Sequence, residues 1–247
     1  MEVPIETFKN HLIGSRLCKI LYTKEDRNTM LCVRRNKKDA FVIINGTNRA
    51  GHWIHNLSLS LTSDGKHTGF ETFSRNCYEE LMIDFQEHIQ NDKTCFEEIQ
   101  NIYLISHSLG ASALIIMLHD ELMKLFPFSK DMLANVNIDI VLLGAPKSGN
   151  KHFVDQFNQL IKYHENMKLY RYSIQNDVVS LYPPLSSYTH VCDPIQLYDQ
   201  KALMRVMYNH SVINYINNFK LLLMSKKNGT IKINNSVDSE LLENGNG

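Results

Sequence analysis

Short apolar runs bounded by polar punctuation recur along the chain at Ala40–Ile44, Ile102–Ile105, Ile138–Leu143 and Leu169–Ile174, each of strand length. Between them the apolar positions change period. Tyr78, Leu81, Met82, Phe85 and Ile89 repeat every three to four residues, as do Phe153, Phe157, Leu160 and Ile161, which is the spacing of one helix face. Strands alternating with helices predict an α/β fold with a mainly parallel central sheet and helices on both faces, because parallel strands need crossovers that helices supply. The segment "NFKLLLM" closes the last helix. From about Ser225 the chain reads "SKKNGTIKINNSVDSELLENGNG", rich in Asn, Gly and Ser with little to bury, and is expected to be a disordered tail. With 247 residues and no interior Pro/Ser/Gly-rich linker or repeat, residues 1–224 are expected to form a single domain and 225–247 the tail.

One run stops abruptly. "IYLISHSLGAS", residues 102 to 112, ends on two serines, a histidine and a glycine, then turns apolar again at Ala113–Leu118. A serine lifted onto a strained strand-to-helix turn becomes an exposed nucleophile, and the residues two before and two after it must be small. Here these are Ser106 and Gly110 around Ser108, so Ser106 departs from the usual glycine. A serine that simply caps the helix is the other reading of the same stretch. A nucleophile needs a base, and the base a carboxylate. In parallel α/β sheets such groups lie on loops beyond the carboxyl ends of the strands. After Ser108, the acid placed just beyond a strand is Asp177, also readable as half of a turn-forming Asn-Asp pair, and two histidines follow it, His190 and His210.

Composition narrows the classes. Twenty-six basic and twenty-six acidic side chains cancel, so no global field draws in nucleic acid or an anionic membrane. The most basic stretch, Arg34-Arg35-Asn36-Lys37-Lys38, lies between apolar runs and reads as a solvated hairpin or loop. The five cysteines, Cys18, Cys32, Cys77, Cys95 and Cys192, are scattered and never C-x-x-C, which predicts neither disulfides nor a zinc site. His52 and His55 read as surface residues, and no metal or cofactor is expected. No apolar run has signal-peptide or membrane-span length, so the chain is expected to have no transmembrane segment and to be cytoplasmic. Asn45-Gly46-Thr47 and Asn209-His210-Ser211 would be glycosylation acceptors in a secretory lumen.

Several blocks in order resemble the lipase class 3 family of the α/β hydrolases. Around the serine, His107, Ser108, Leu109, Gly110 and Ala111 match its G-H-S-L-G-G/A. "INGTNRAGHWIHNLSL" is similar to its R-G-T segment at Gly46, Thr47, Trp53 and Leu57, with Asn45 where the family usually has arginine. "HTGF", "GAPKSGNKHF" and "YPPLSSYTH" resemble its H-x-G-F, G-x-P-R-V-G-N-x-x-F and L-P-P…Y-x-H blocks, Lys147 and Ser148 replacing Arg-Val. The likeness covers roughly residues 35 to 220 and implies an α/β-hydrolase fold.

It also implies roles. Asp177 sits where the family has its acid, and His210, followed by a tyrosine about a turn on, where it has its catalytic histidine, whereas His190 falls in the non-catalytic Y-x-H block. His107 reads as a packed, hydrogen-bonded neighbour, since adjacent side chains at a sharp turn diverge. Leu109 and, by resemblance, Thr47 would supply the oxyanion-hole amides. Trp53 and Leu57, with Leu61 at helical spacing, either pack in the core or belong to a lid over an acyl groove that makes transient contact with a lipid surface. The implied activity is serine hydrolysis of a lipid or small ester substrate. The alternative is a lipase-fold interaction module that has lost catalysis.

Overall fold

The computed structural model describes residues 18–22, 30–35, 38–46, 59–91, 99–125, 133–197 and 209–227. A seven-stranded sheet forms the centre, with the strands side by side in chain order. Its strands are β1 (Cys18–Tyr22), β2 (Met30–Arg35), β3 (Asp39–Ile44), β4 (Asn101–His107), β5 (Asn137–Leu143), β6 (Met167–Ile174) and β7 (Ile195–Leu197). From β3 to β7 every pairing is parallel. The first two pairings are antiparallel. The four apolar runs are the centres of β3, β4, β5 and β6. The basic stretch is divided: Arg34 and Arg35 end β2, in register with Phe41 and Ala40 of the antiparallel β3. They are strand residues leading into the hairpin rather than part of its loop.

The crossovers carry α1 (Thr68–Asn91), α2 (Leu109–Leu125) and α3 (Lys151–Tyr163), and α4 (Val212–Lys227) follows β7. Because sequential parallel strands joined by right-handed crossovers place their helices on one side, α1, α2 and α3 share a face. There Phe70, Phe73, Leu114, Phe153 and Phe157 pack with Val42, Ile44, Leu104, Ile140 and Leu142 of the strands. Each such burial is worth about 1.5–3 kcal/mol. On the opposite face Tyr215 of α4 packs with Leu143, Ile174 and Leu197. α1 begins immediately after His67, earlier than the Tyr78–Ile89 stripe suggests, and buries Phe70, Phe73, Cys77 and Leu81. In α3, Asn150 caps the first turn by accepting from the Phe153 amide at 3.0 Å. α4 continues to Lys227, past residue 224 where the composition changes; residues 228–247 lie outside the described ones.

Two features of this frame position the site. Register aligns the carboxyl ends: Ile44 lies opposite Ser106, and Ser106 opposite Leu142, so the loops leaving β3, β4, β5 and β6 emerge together. Behind them Lys66, 5% exposed, reaches Asp120 of α2 at 2.6 Å and Asp64 at 2.7 Å. That pairing ties the approach to α1 onto α2. No helix among the described residues is long and apolar enough to cross a membrane.

Candidate active site

β4 ends at His107, and the chain reverses at Ser108 with φ of 60° before Leu109 opens α2. A non-glycine residue rarely occupies this left-handed region, and when it does the surroundings must hold it there. They do so through close backbone approach. A methyl built on Gly110 would lie 2.7 Å from the Ile44 carbonyl oxygen and 2.9 Å from that of Asn45; one on Gly46 would lie 2.7 Å from Ser108 Cβ. The Ser108 amide donates to the Leu143 carbonyl at 3.0 Å, fastening the turn to β5. Ser106, where glycine is usual, fits here: it is 1% exposed, and its hydroxyl has no hydrogen-bond partner among the described residues.

Asp177 follows β6 and is 1% exposed. Its Oδ1 accepts from the Val179 amide at 3.0 Å, and its Oδ2 from the Tyr215 hydroxyl at 2.7 Å. Both oxygens lie 3.0 Å from Nδ1 of His210. Burial pushes this carboxyl upward, but the His210 hydrogen bond and charge, with the Tyr215 and Val179 donors, outweigh it and hold the acid below the ordinary carboxylate value. Tyr215 in turn accepts from the Ile174 amide at 3.2 Å, and burial followed by the Asp177 charge keeps its phenol protonated. Gly144, at φ 57°, passes directly beneath: a methyl there would sit 2.8 Å from Asp177 Oδ2, 2.9 Å from the Tyr215 hydroxyl and 3.1 Å from His210 Nδ1.

His210 completes the relay. It lies in the turn entering α4, 7% exposed, and its Nε2 is 2.6 Å from Ser108 Oγ. The structure therefore brings together Ser108, His210 and Asp177, which are far apart in sequence. His190 is elsewhere, half-buried; burial first, then the Arg171 and Lys147 charges, push its pKa down to about 3. Leu109, as first residue of α2, carries one of the amides that a helix leaves without an internal acceptor. Thr47, Trp53, Leu57, His52 and His55 lie outside the described residues. In the sequence Gly144 stands out only as the first residue of the "GAPKSGNKHF" block, with no role at the site. Tyr215 stands out only as a tyrosine about a turn after the histidine, and that spacing was the signal that could have found it.

A mainly parallel sheet, a serine on a strained strand-to-helix turn and an acid and histidine following it in the order Ser, Asp, His together define an α/β hydrolase. The chain belongs to the lipase (class 3) family, whose profile matches residues 41–187. Solved structures agree in fold. Lip2 lipase from Yarrowia lipolytica is 19% identical with a TM-score of 0.55, over 76% of this chain and 67% of its own. Lipase II from Rhizopus niveus is 18% identical with a TM-score of 0.54, over 73% and 64%. The Rhizomucor miehei lipase propeptide complex is 18% identical with a TM-score of 0.52, over 73% and 56%. The chain thus spans about two thirds or less of these lipases. No curated protein matches the sequence.

Proposed function

We propose that this chain hydrolyses carboxylic esters of lipids through a triad of Ser108, His210 and Asp177. The observation that carries this reading is the continuous relay: His210 Nε2 at 2.6 Å from Ser108 Oγ and its Nδ1 at 3.0 Å from Asp177, on a turn with Ser108 at φ 60°. Ser108 Oγ attacks the ester carbonyl as His210 Nε2 takes its proton; Asp177 holds the tautomer and stabilises the imidazolium. The tetrahedral oxyanion is met by the Leu109 amide and, by resemblance, that of Thr47. His210 returns the proton to the leaving alcohol, and water then releases the acyl group by the same relay in reverse. Every proton transfer runs over side chains of this chain, so the reaction needs no cofactor.

The lipid character of the substrate is supported by the segments that follow Asp177 and His210. Immediately after Asp177, Val178, Leu181 and Leu185 stand exposed, and beside His210 so do Ile213 and Ile216. Val178, Val179, Leu181, Tyr182 and Pro184 line an open groove of about 350 Å³. Apolar side chains left in water on the segments that carry the acid and the base favour an acyl chain over a polar ester. The test is a fluorophosphonate probe on the purified chain, followed by p-nitrophenyl esters of rising acyl length. Labelling that disappears in Ser108→Ala, with hydrolysis that improves with chain length, is expected. Folded parent protein that takes up no probe would leave the interaction-module reading in its place.

A further inference from the structure

His107 is the last residue of β4, next to the nucleophile in sequence, and the mechanism above gives it nothing to do. Its side chain nevertheless faces the base. The rings of His107 and His210 stack with centroids 4.7 Å apart and planes 29° from parallel, and the edge of Tyr215 closes a third side at 5.8 Å. His107 Nε2 lies 2.7 Å from the backbone carbonyl oxygen of His210. A carbonyl only accepts, so Nε2 carries the proton and the bond is Nε2–H donating to His210 O.

We infer that His107 is a positioning residue for His210: the end of the nucleophile's own strand grips the backbone of the base, so that serine and imidazole keep a common reference. The inference rests on the hydrolase reading above. His210 enters from the far side of the sheet, and its own Nδ1 and Nε2 bonds orient the ring only if its Cα is already in place. Two side chains supply that anchor. Asn209 Nδ2 donates to the Gln175 carbonyl at 3.2 Å, tying the segment to the loop after β6, and His107 ties it to β4. Stacking sets a further requirement. His210 becomes an imidazolium during the reaction, and a second cation on its face would oppose that step. Burial, and then the proximity of His210, push the His107 pKa down to about 4, so it remains the neutral partner.

The full chain and three variants test this by kcat and KM on a p-nitrophenyl ester. In His107→Gln the amide nitrogen falls where Nε2 was; in His107→Asn it is one bond short; His107→Phe keeps a ring and loses the donor. The expectation is that kcat falls about 10-fold to 100-fold in the Asn and Phe variants with KM little changed, the scale of a reacting group slightly misplaced, and that Gln restores most of it. Phe matching the parent, or Gln and Asn falling together, overturns the inference. Nitrogen-15 NMR of the parent gives an answer independent of variant folding: at pH 6 His107 must be neutral with its proton on Nε2, and the other tautomer or a charged ring overturns it. A parent that shows the expected tautomer but takes up no fluorophosphonate sinks the hydrolase reading, and with it the role given to His107. An active parent with a flat His107 series sinks this inference alone.

Discussion

The nucleophile and its base are held by opposite means. At the elbow, Ser108 is fixed by close backbone approach: Gly110 beneath the Ile44 and Asn45 carbonyls, Gly46 against Ser108 Cβ, and a hydrogen bond from the Ser108 amide to the Leu143 carbonyl. At the base, His210 is fixed by polar side-chain atoms of Asp177, itself held by Tyr215, and of His107, through bonds that span 33 to 103 residues. The first seat should tolerate the loss of side-chain polar atoms and not the gain of volume. The second is sensitive to both, because a methyl there displaces hydrogen bonds directly.

Adding one carbon on each side breaks the comparison most sharply. Gly144→Ala forces φ 57° on a residue with a Cβ and drives that carbon to within 2.8 Å of Asp177 Oδ2 and 3.1 Å of His210 Nδ1. Activity is expected to fall roughly 10³-fold to 10⁴-fold, the scale seen when a triad carboxylate no longer holds its histidine. Gly110→Ala instead pushes the Ile44 carbonyl away from the elbow without touching the relay, and about 10²-fold is expected. Steady-state kinetics on folded variants measure both. Equal losses would mean that the two seats respond to volume alike.

Tyr215→Phe probes the polar side with volume nearly unchanged. It removes the 2.7 Å bond to Asp177 Oδ2, a charged hydrogen bond worth about 1.5–3 kcal/mol. Asp177 is held below 3.8 in the folded chain, so its contribution to stability is present above that value and is lost as pH falls through the folded pKa. Without the tyrosine donor the folded pKa rises, and acid unfolding begins at higher pH. Urea titrations of parent and variant should differ most at pH 7 and narrow in strong acid to the remainder left by the lost Ile174 amide bond. A difference that stays constant with pH would show the hydroxyl acting through the Ile174 amide and not the carboxylate.

The same contrast governs how much was legible in the sequence. The elbow is a local constraint, so "SHSLG" carried most of it within five residues. Asp177 and His210 emerged only as candidates after a strand; choosing His210 over His190 took the order of blocks in a family. The clasp of His107 on His210 left no local trace, because it joins residues 103 apart that only the sheet makes neighbours. The fold divides similarly. β3 to β6 are buried apolar runs and stood out, whereas β1 "CKILY" and β2 "MLCVRR" mix charges into antiparallel strands, and β7 is three residues long.

Ser106 supplies the smallest and cleanest test of an elbow held by shape. Its hydroxyl is buried without a hydrogen-bond partner among the described residues, and a buried unsatisfied polar group costs about 1–3 kcal/mol. Ser106→Ala keeps the Cβ that the turn accommodates and removes only that oxygen, so thermal unfolding should move upward by the equivalent of about 1 kcal/mol. Ser112, one turn into α2, is the control: its Oγ donates to the Pro146 carbonyl at 2.9 Å, so Ser112→Ala should destabilise by about 1 kcal/mol. Were Ser106→Ala to destabilise as Ser112→Ala does, the hydroxyl at the elbow would have to be bonding something in solution. The nucleophile's seat would then depend on a polar side-chain contact just as the base's does, and the distinction between volume and side-chain hydrogen bonding would be lost.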